Sequence, residues 1–241
     1  MKQRLDRSLV ERGLIVTRSQ AESFIRMGSV LVNKNPVTKS GYMVGEQDVV
    51  TLTAKEQYVS RAGLKLASIA QTFKLNFKDT TVLDVGSSTG GFTDYALRHG
   101  AAKVIAVDVG TNQLHPSLRQ NPKVELHEQT DIRDIKSLSQ PADYVVIDVS
   151  FISLRDVLPH IARLVGQQTK IIAMVKPQFE AGNSQLKHKG VIKNEKVRRD
   201  ILKDFESWSM QHFKISNKAD SQVSGEKGNK ERFYVLLKLK K

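Results

Sequence analysis

Hydrophobic and polar positions follow two different rhythms along this chain, and the rhythm changes near residue 54. In RLDRSLVERGL, Leu5, Leu9 and Val10 share one helical face and Gly13 is placed to end the helix. TRSQAESFIRMG restarts it, with Thr17 and Gln20 at capping-box spacing and Gly28 as the next stop. SVLVNKNPVT then alternates as a strand into a turn over residues 33–36, and VGEQDVVTLT reads as a second strand. The pattern predicts a small α+β unit over residues 1–54, followed by a linker over 55–62.

From Thr80 onward, apolar runs alternate with helical segments. TVLDVG, KVIAVDVG, KVELHEQ, DYVVIDVSF and KIIAMVKP are near-continuous apolar runs, as expected of strands buried on both faces of a parallel sheet. Helical periodicity appears over 92–99, 154–165 and 196–212; residues 207–223 supply a helix end and another strand, and ERFYVLLKLKK a last strand. Residues 63–241 are thus expected to form a doubly wound, mostly parallel seven-stranded α/β domain.

Composition narrows the function. At 241 residues and 39% hydrophobic content the chain can bury an ordinary core. No window approaches 18 consecutive apolar residues, and MKQRLDRSLVERG mixes charge with leucine where a signal peptide is apolar, so a cytoplasmic protein without membrane association is expected. The absence of cysteine excludes disulfides, thiolate metal sites and cysteine nucleophiles. The formal charge of +13 favours a polyanionic partner such as nucleic acid. That excess sits at the ends: residues 1–40 carry eight basic and three acidic side chains, and residues 176–241 carry sixteen and eight. Arg4, Arg7, Arg18, Arg26, Lys34 and Arg61, with Lys187 and Lys189 further on, are the candidate RNA contacts; for the latter two a solvated loop explains the charge nearly as well.

The densest chemical signal is LDVGSSTGGFTDYAL, a strand, a glycine loop and a helix. Gly86, Gly90 and Gly91 let a ligand approach the main chain, with Ser87, Ser88, Thr89 and Phe92 around them. The loop is neither GxGxxG nor a run ending in GK[ST], which weakens dinucleotide and nucleoside-triphosphate readings. Asp108 ends the next strand, where doubly wound folds receive ribose hydroxyls; Asp84 could meet a ligand amino group or a bridging water, and Asp131 an adenine amino group. Asp148 and Lys176 also end strands, Lys65 precedes the first strand and Glu231 opens the last. Each has a purely structural alternative: a surface helix lysine, a helix cap, a salt-bridged strand end, a hairpin charge.

Taken together in chain order, these four residues resemble the Lys, Asp, Lys, Glu set of the FtsJ-type ribose 2′-O-methyltransferases. RLDRSLVERGL, TRSQA, YVSRAGLKL, DVGSSTGGFTD, AVDVGTNQL, DVSFISL and VKPQFEAG are similar to segments of the TlyA, or hemolysin A, family of ribosomal RNA methyltransferases. The resemblance covers nearly the whole chain. It implies a ribosomal-protein-S4-like RNA-binding unit, then a Rossmann-like domain that binds S-adenosyl-L-methionine at the glycine loop, Asp84, Asp108, Asp131 and Asp148. Lys65, Asp148, Lys176 and Glu231 would be catalytic, with Lys176 taking the proton of a cytidine 2′-hydroxyl, Lys65 as a second cation beside it, and no metal. Glu226, five residues before Glu231, is the competing fourth position. The implied partner is ribosomal RNA of the large subunit and, in some family members, the small subunit; the oligomeric state is left open, with a monomer the simplest expectation.

Other classes fit less well. Cytosine C5 methylation generally needs a cysteine, and exocyclic amine methylation a [DNS]PP[FYW] tetrapeptide where this chain has DVSF. A nicotinamide oxidoreductase leaves Lys65, Lys176 and the basic amino-terminal unit unexplained. A non-catalytic ribosome-assembly factor needs none of the four site residues, and a membrane-active hemolysin lacks an apolar or amphipathic membrane segment.

Overall fold

A computed structural model describes residues 2–15, 18–26, 28–53, 58–181, 190–225 and 228–239, apart from the side chains of Ser19, Ser23 and Arg26. Thr17 of the expected capping box, Lys187, Lys189, Glu226 and the Arg26 side chain therefore lie outside the described residues. No described helix is long and apolar enough to cross a membrane.

The amino-terminal unit contains β1 (Gln3–Arg4), α1 (Leu5–Glu11), α2 (Arg18–Arg26), β2 (Val30–Val32), β3 (Asn35–Pro36), β4 (Met43–Val44) and β5 (Val50–Leu52). Gly13 and Gly28 stand just past the two helices at φ +68° and +72°, the left-handed conformation that ends a helix with little strain only at glycine. β2 pairs with β3 and β5, and β1 with β4, all antiparallel. Inside, the buried Asp6 carboxylate receives Arg4 and Arg18 at 2.9 Å each. Burial alone would raise this carboxyl, but the two guanidinium hydrogen bonds hold it down at about 2.

The larger unit opens with α3 (Arg61–Ala70), a helix the sequence pattern did not mark out. It continues through β6 (Thr81–Val85), α4 (Gly91–Arg98), β7 (Lys103–Val107), α5 (Pro116–Arg119), β8 (Val124–His127), β9 (Tyr144–Ile147), α6 (Leu154–Leu164), β10 (Lys170–Val175), α7 (Pro177–Glu180), α8 (Glu195–Ser209), β11 (Phe213–Asp220) and β12 (Arg232–Lys238). The seven strands lie in the order β11-β12-β10-β9-β6-β7-β8 and only β12 runs against the rest. This is the expected mostly parallel sheet. The direction of strand order reverses between β6 and β9, so their carboxyl ends form the crevice where such sheets bind ligands.

One apolar cluster runs through both units. It joins Leu5, Leu9, Phe24 and Ile25 of the small unit to Tyr58, Leu64, Phe92, Val146 and Phe233 of the large one. Gln20 adds a polar tie, its side-chain amide donating to the Tyr58 carbonyl at 2.6 Å. A second cluster packs α6 and α8 on the opposite face of the sheet.

Candidate active site

The crevice at the β6/β9 edge is built by the glycine loop. Gly86, at φ +78°, lets the end of β6 pass so close to β9 that a β-carbon there would stand 2.8 Å from the Asp148 carbonyl oxygen. Gly91 faces a different neighbour: its own missing β-carbon leaves room for Ser60, Ala62 and Gly63 at the start of α3. The glycines thus draw the strand carrying Asp148 and the helix carrying Lys65 onto the loop, in addition to keeping its backbone accessible.

Two adjoining cavities open there. The larger, about 540 Å³, is walled by Val85, Asp108, Val109, Asp131, Arg133 and Phe151. The smaller, about 150 Å³, is walled by Asp84, Ser87, Thr89, Phe92 and Lys176, and Gly86, Ser88, Asp148 and Ser150 line both. Asp108 accepts from the Ser88 amide at 2.8 Å and the Gly110 amide at 2.7 Å, which fixes its carboxylate at the mouth. Asp131 caps the turn Ile132–Asp134 and holds the Arg133 guanidinium at 2.7 Å, so the structural and cavity-lining roles coincide.

Asp84 is fully buried. Thr93 donates to its Oδ2 at 2.6 Å, while Oδ1 and the neighbouring Ser87 Oγ are buried without a hydrogen-bond partner. Burial pushes the Asp84 carboxyl up to about 7, and the charges of Asp148 and Asp108 add to the effect. Buried acceptors without donors are uncommon, and here they line the smaller cavity, which adjoins the larger one. The chemistry of this wall suits a ligand that presents an amino group and a ribose.

Two ion pairs stand on this side of the sheet edge, and the first of them, Lys176 with Asp148, lines the smaller cavity. Lys176 Nζ lies 2.6 Å from Asp148 Oδ1 and donates to Ser150 Oγ at 2.7 Å. Lys65 Nζ lies 2.6 Å from Glu231 Oε2. Glu231 is 2% exposed, and burial raises its carboxyl above the ordinary range; Lys65 and Lys176 oppose the rise and Asp148 reinforces it. A carboxylate that feels all three other charges shows that residues from four separate segments converge. Pro177 explains the position of Lys176: it occupies the first turn of α7, where no amide donor is needed, and Lys176 is left as the cap at the strand end.

The candidate RNA contacts divide. Arg7 and Lys34 are exposed, Lys34 in a left-handed turn at φ +68°, and Arg4 and Arg18 are held together by Asp6. Arg61 instead donates to the Ser224 carbonyl at 2.6 Å, fastening α3 to the segment that leads to β12. Among the residues at the site that escaped the sequence pattern are Ser150 and Phe151, which line the cavities, and Glu180, which lies behind them. For the first two the signal was the polar, aromatic run DVSF directly after a strand, at the edge where doubly wound folds bind ligands.

The sequence profile of the FtsJ-like methyltransferase family matches residues 58–239, and that of the S4 domain matches residues 3–50. The chain belongs to the FtsJ-like methyltransferase family. Within reach of this methyltransferase, YqxC of Bacillus subtilis is 41% identical over 95% of this chain and 84% of its own length. The 23S rRNA (cytidine-2′-O)-methyltransferase TlyA of Campylobacter jejuni is 43% identical over 76% of this chain and 72% of its own. A solved structure from Streptococcus thermophilus, 36% identical, superposes with a TM-score of 0.73 over 98% of this chain and 88% of the other.

Proposed function

We propose that this FtsJ-like methyltransferase uses S-adenosyl-L-methionine to methylate the ribose 2′-hydroxyl of a cytidine in large-subunit ribosomal RNA. The observation that carries the reaction type is the convergence of Lys65, Asp148, Lys176 and Glu231 beside the glycine loop as two ion pairs of 2.6 Å. The choice of cytidine and of ribosomal RNA rests on the likeness to TlyA, together with the S4 domain and the basic ends of the chain.

Asp108 would hold the cofactor ribose and Asp131 its adenine amino group; the free Oδ1 of Asp84 would accept from the methionyl ammonium. The cofactor supplies an electrophilic methyl group. Lys176 takes the 2′-hydroxyl proton as oxygen attacks, so the amine must be neutral at that moment. Its two contacts, to Asp148 and Ser150, hold the nitrogen in place and leave its remaining tetrahedral position for the proton. Lys65 contributes positive charge on the side of the developing alkoxide, and its ion pair with Glu231 holds it in position. Alignment of hydroxyl and methyl in this enclosed corner supplies much of the acceleration.

Phe151 supports an RNA substrate. Its ring is 91% exposed at the cavity rim, its φ of +65° is unfavourable for a bulky residue, and Phe179 backs it at 5.2 Å between ring centroids. A strained, solvent-facing aromatic beside the proposed base is suited to stacking on an unpaired nucleobase. The test is methyl transfer from labelled S-adenosylmethionine to isolated subunits and to intact ribosomes, followed by mapping of 2′-O-methylated nucleotides. Transfer to a base atom, or none to RNA of either subunit, contradicts the proposal.

A further inference from the structure

Glu180 is a carboxylate buried to 8% exposure with no place in the proposed chemistry. Its Oε1 accepts from the Leu154 amide at 2.7 Å and its Oε2 from Ser153 Oγ at 2.7 Å, with the Arg155 guanidinium 3.6 Å away. Burial raises this carboxyl, and those hydrogen bonds only partly offset the effect. Capping α6 does not require such a group, because Ser153 already accepts from the Arg155 amide at 3.1 Å. What Glu180 adds is a connection between two segments.

One segment runs from Asp148 through Ser150 to Leu154; the other is the single helical turn from Lys176 to Glu180. Polar rungs cross between them at both ends: Lys176 to Asp148 and Ser150, and Glu180 to Ser153 and Leu154. The Lys176 end must be free to lose and regain a proton during the reaction, so its own rungs weaken in each turnover. The Glu180 end need not change. We infer that Glu180 is a positioning residue for Lys176, holding the Asp148–Leu154 segment in register with the turn that presents the amine when the lysine is uncharged.

The inference rests on Lys176 being the base, and the test separates the two. Purified full-length protein is treated with limiting acetic anhydride, and acetylation of Lys176 is followed by peptide mass spectrometry. Glu180→Met should raise the Lys176 rate at least threefold, because the ion pair with Asp148 loosens, and Glu180→Gln, which can still bridge Ser153 and Leu154, should leave it within twofold of the wild type. With S-adenosylmethionine and large ribosomal subunits, the same Met variant should lose at least tenfold in kcat with KM for both substrates within twofold, and Gln should restore most of it. Should Glu180→Met fail to fold, Ser153→Ala removes one rung and should show the same kcat-only loss in milder form. Unchanged Lys176 acetylation in every folded variant overturns the inference whatever the acceptor. Absence of transfer by the wild type counts only against the proposed function, since the acetylation measurement stands without it.

Discussion

Gly63 and Gly91 touch across the junction of α3 with the glycine loop: a β-carbon on Gly91 would stand 2.7 Å from the Gly63 nitrogen, and one on Gly63 would stand 3.0 Å from the Gly91 carbonyl oxygen. Both positions must stay bare for the Lys65 helix to reach the glycine loop. Gly63→Ala would also press on the Tyr58 side chain at 2.5 Å. The expected loss is about 1 to 3 kcal/mol of stability, the usual range for an added methylene in a packed site, with reduced methyl transfer at temperatures where the variant is still folded. Thermal unfolding and activity below the transition check both parts.

The two lysines should respond differently to arginine. Guanidinium keeps its charge at any working pH and cannot accept a proton, so Lys176→Arg should be as inactive as Lys176→Met, with rates down by roughly 10² to 10⁴. In the proposed mechanism Lys65 supplies only positive charge opposite Glu231, so Lys65→Arg should keep a measurable fraction of the rate. Cofactor affinity, measured by calorimetry, should move less than about threefold in either case. Full activity in Lys176→Arg would remove the lysine from the role of base.

If Asp84 meets the cofactor as proposed, cofactor binding depends on pH. Its folded carboxyl titrates at about 7 because it is buried, against about 4 in an unfolded chain. The folded value is raised, so its contribution to stability is complete below pH 4 and is lost as pH climbs through 7, a change of about 4 kcal/mol at most. A ligand ammonium favours the ionised form, so cofactor affinity should rise with pH between 5 and 7 and level off above. Asp84→Asn should abolish both dependences. Binding titrations and denaturant curves across that range provide the check.

Phe151 allows stability and affinity to be separated. Glycine at this position relieves the left-handed strain, so Phe151→Gly should unfold at the same or a higher denaturant concentration than the wild type. The same variant gives up the stacking surface, and KM for the RNA acceptor should rise by roughly 5- to 150-fold, the range of a stacked base. Phe151→Trp should keep the affinity. A Gly variant with unchanged KM would mean that the exposed ring does not meet the substrate.

The strands of the large unit were legible because a parallel sheet buries both faces, which leaves runs such as Ile171–Val175 almost free of polar residues. The helix carrying Lys65 was not. Its start has no side-chain cap, Gly63 lies inside it, and its amphipathic pattern is compressed into Arg61–Ala70, so the segment was not marked out as a helix, although a helical position was the structural alternative for Lys65. The two-residue strands β1 and β4 were invisible for another reason: each exists only through its partner, and Gln3 meets Val44 by a pairing that no local pattern encodes. Glu180 shows the same limit at the site. Its neighbours in sequence are ordinary, and its role comes from Ser153 and Leu154, which the fold alone brings within 2.7 Å.

The apolar cluster shared by Leu5, Phe24, Tyr58 and Phe92 has a consequence for length as well as for stability. A module hung on a flexible tether samples many distances from the proposed base. One that shares a core with the larger domain fixes a single distance, so under the proposed function the protein would work as a ruler: RNA held by the small unit would select which nucleotide, one set span away, reaches Lys176. Substitutions at the seam of that core would blur the graduation.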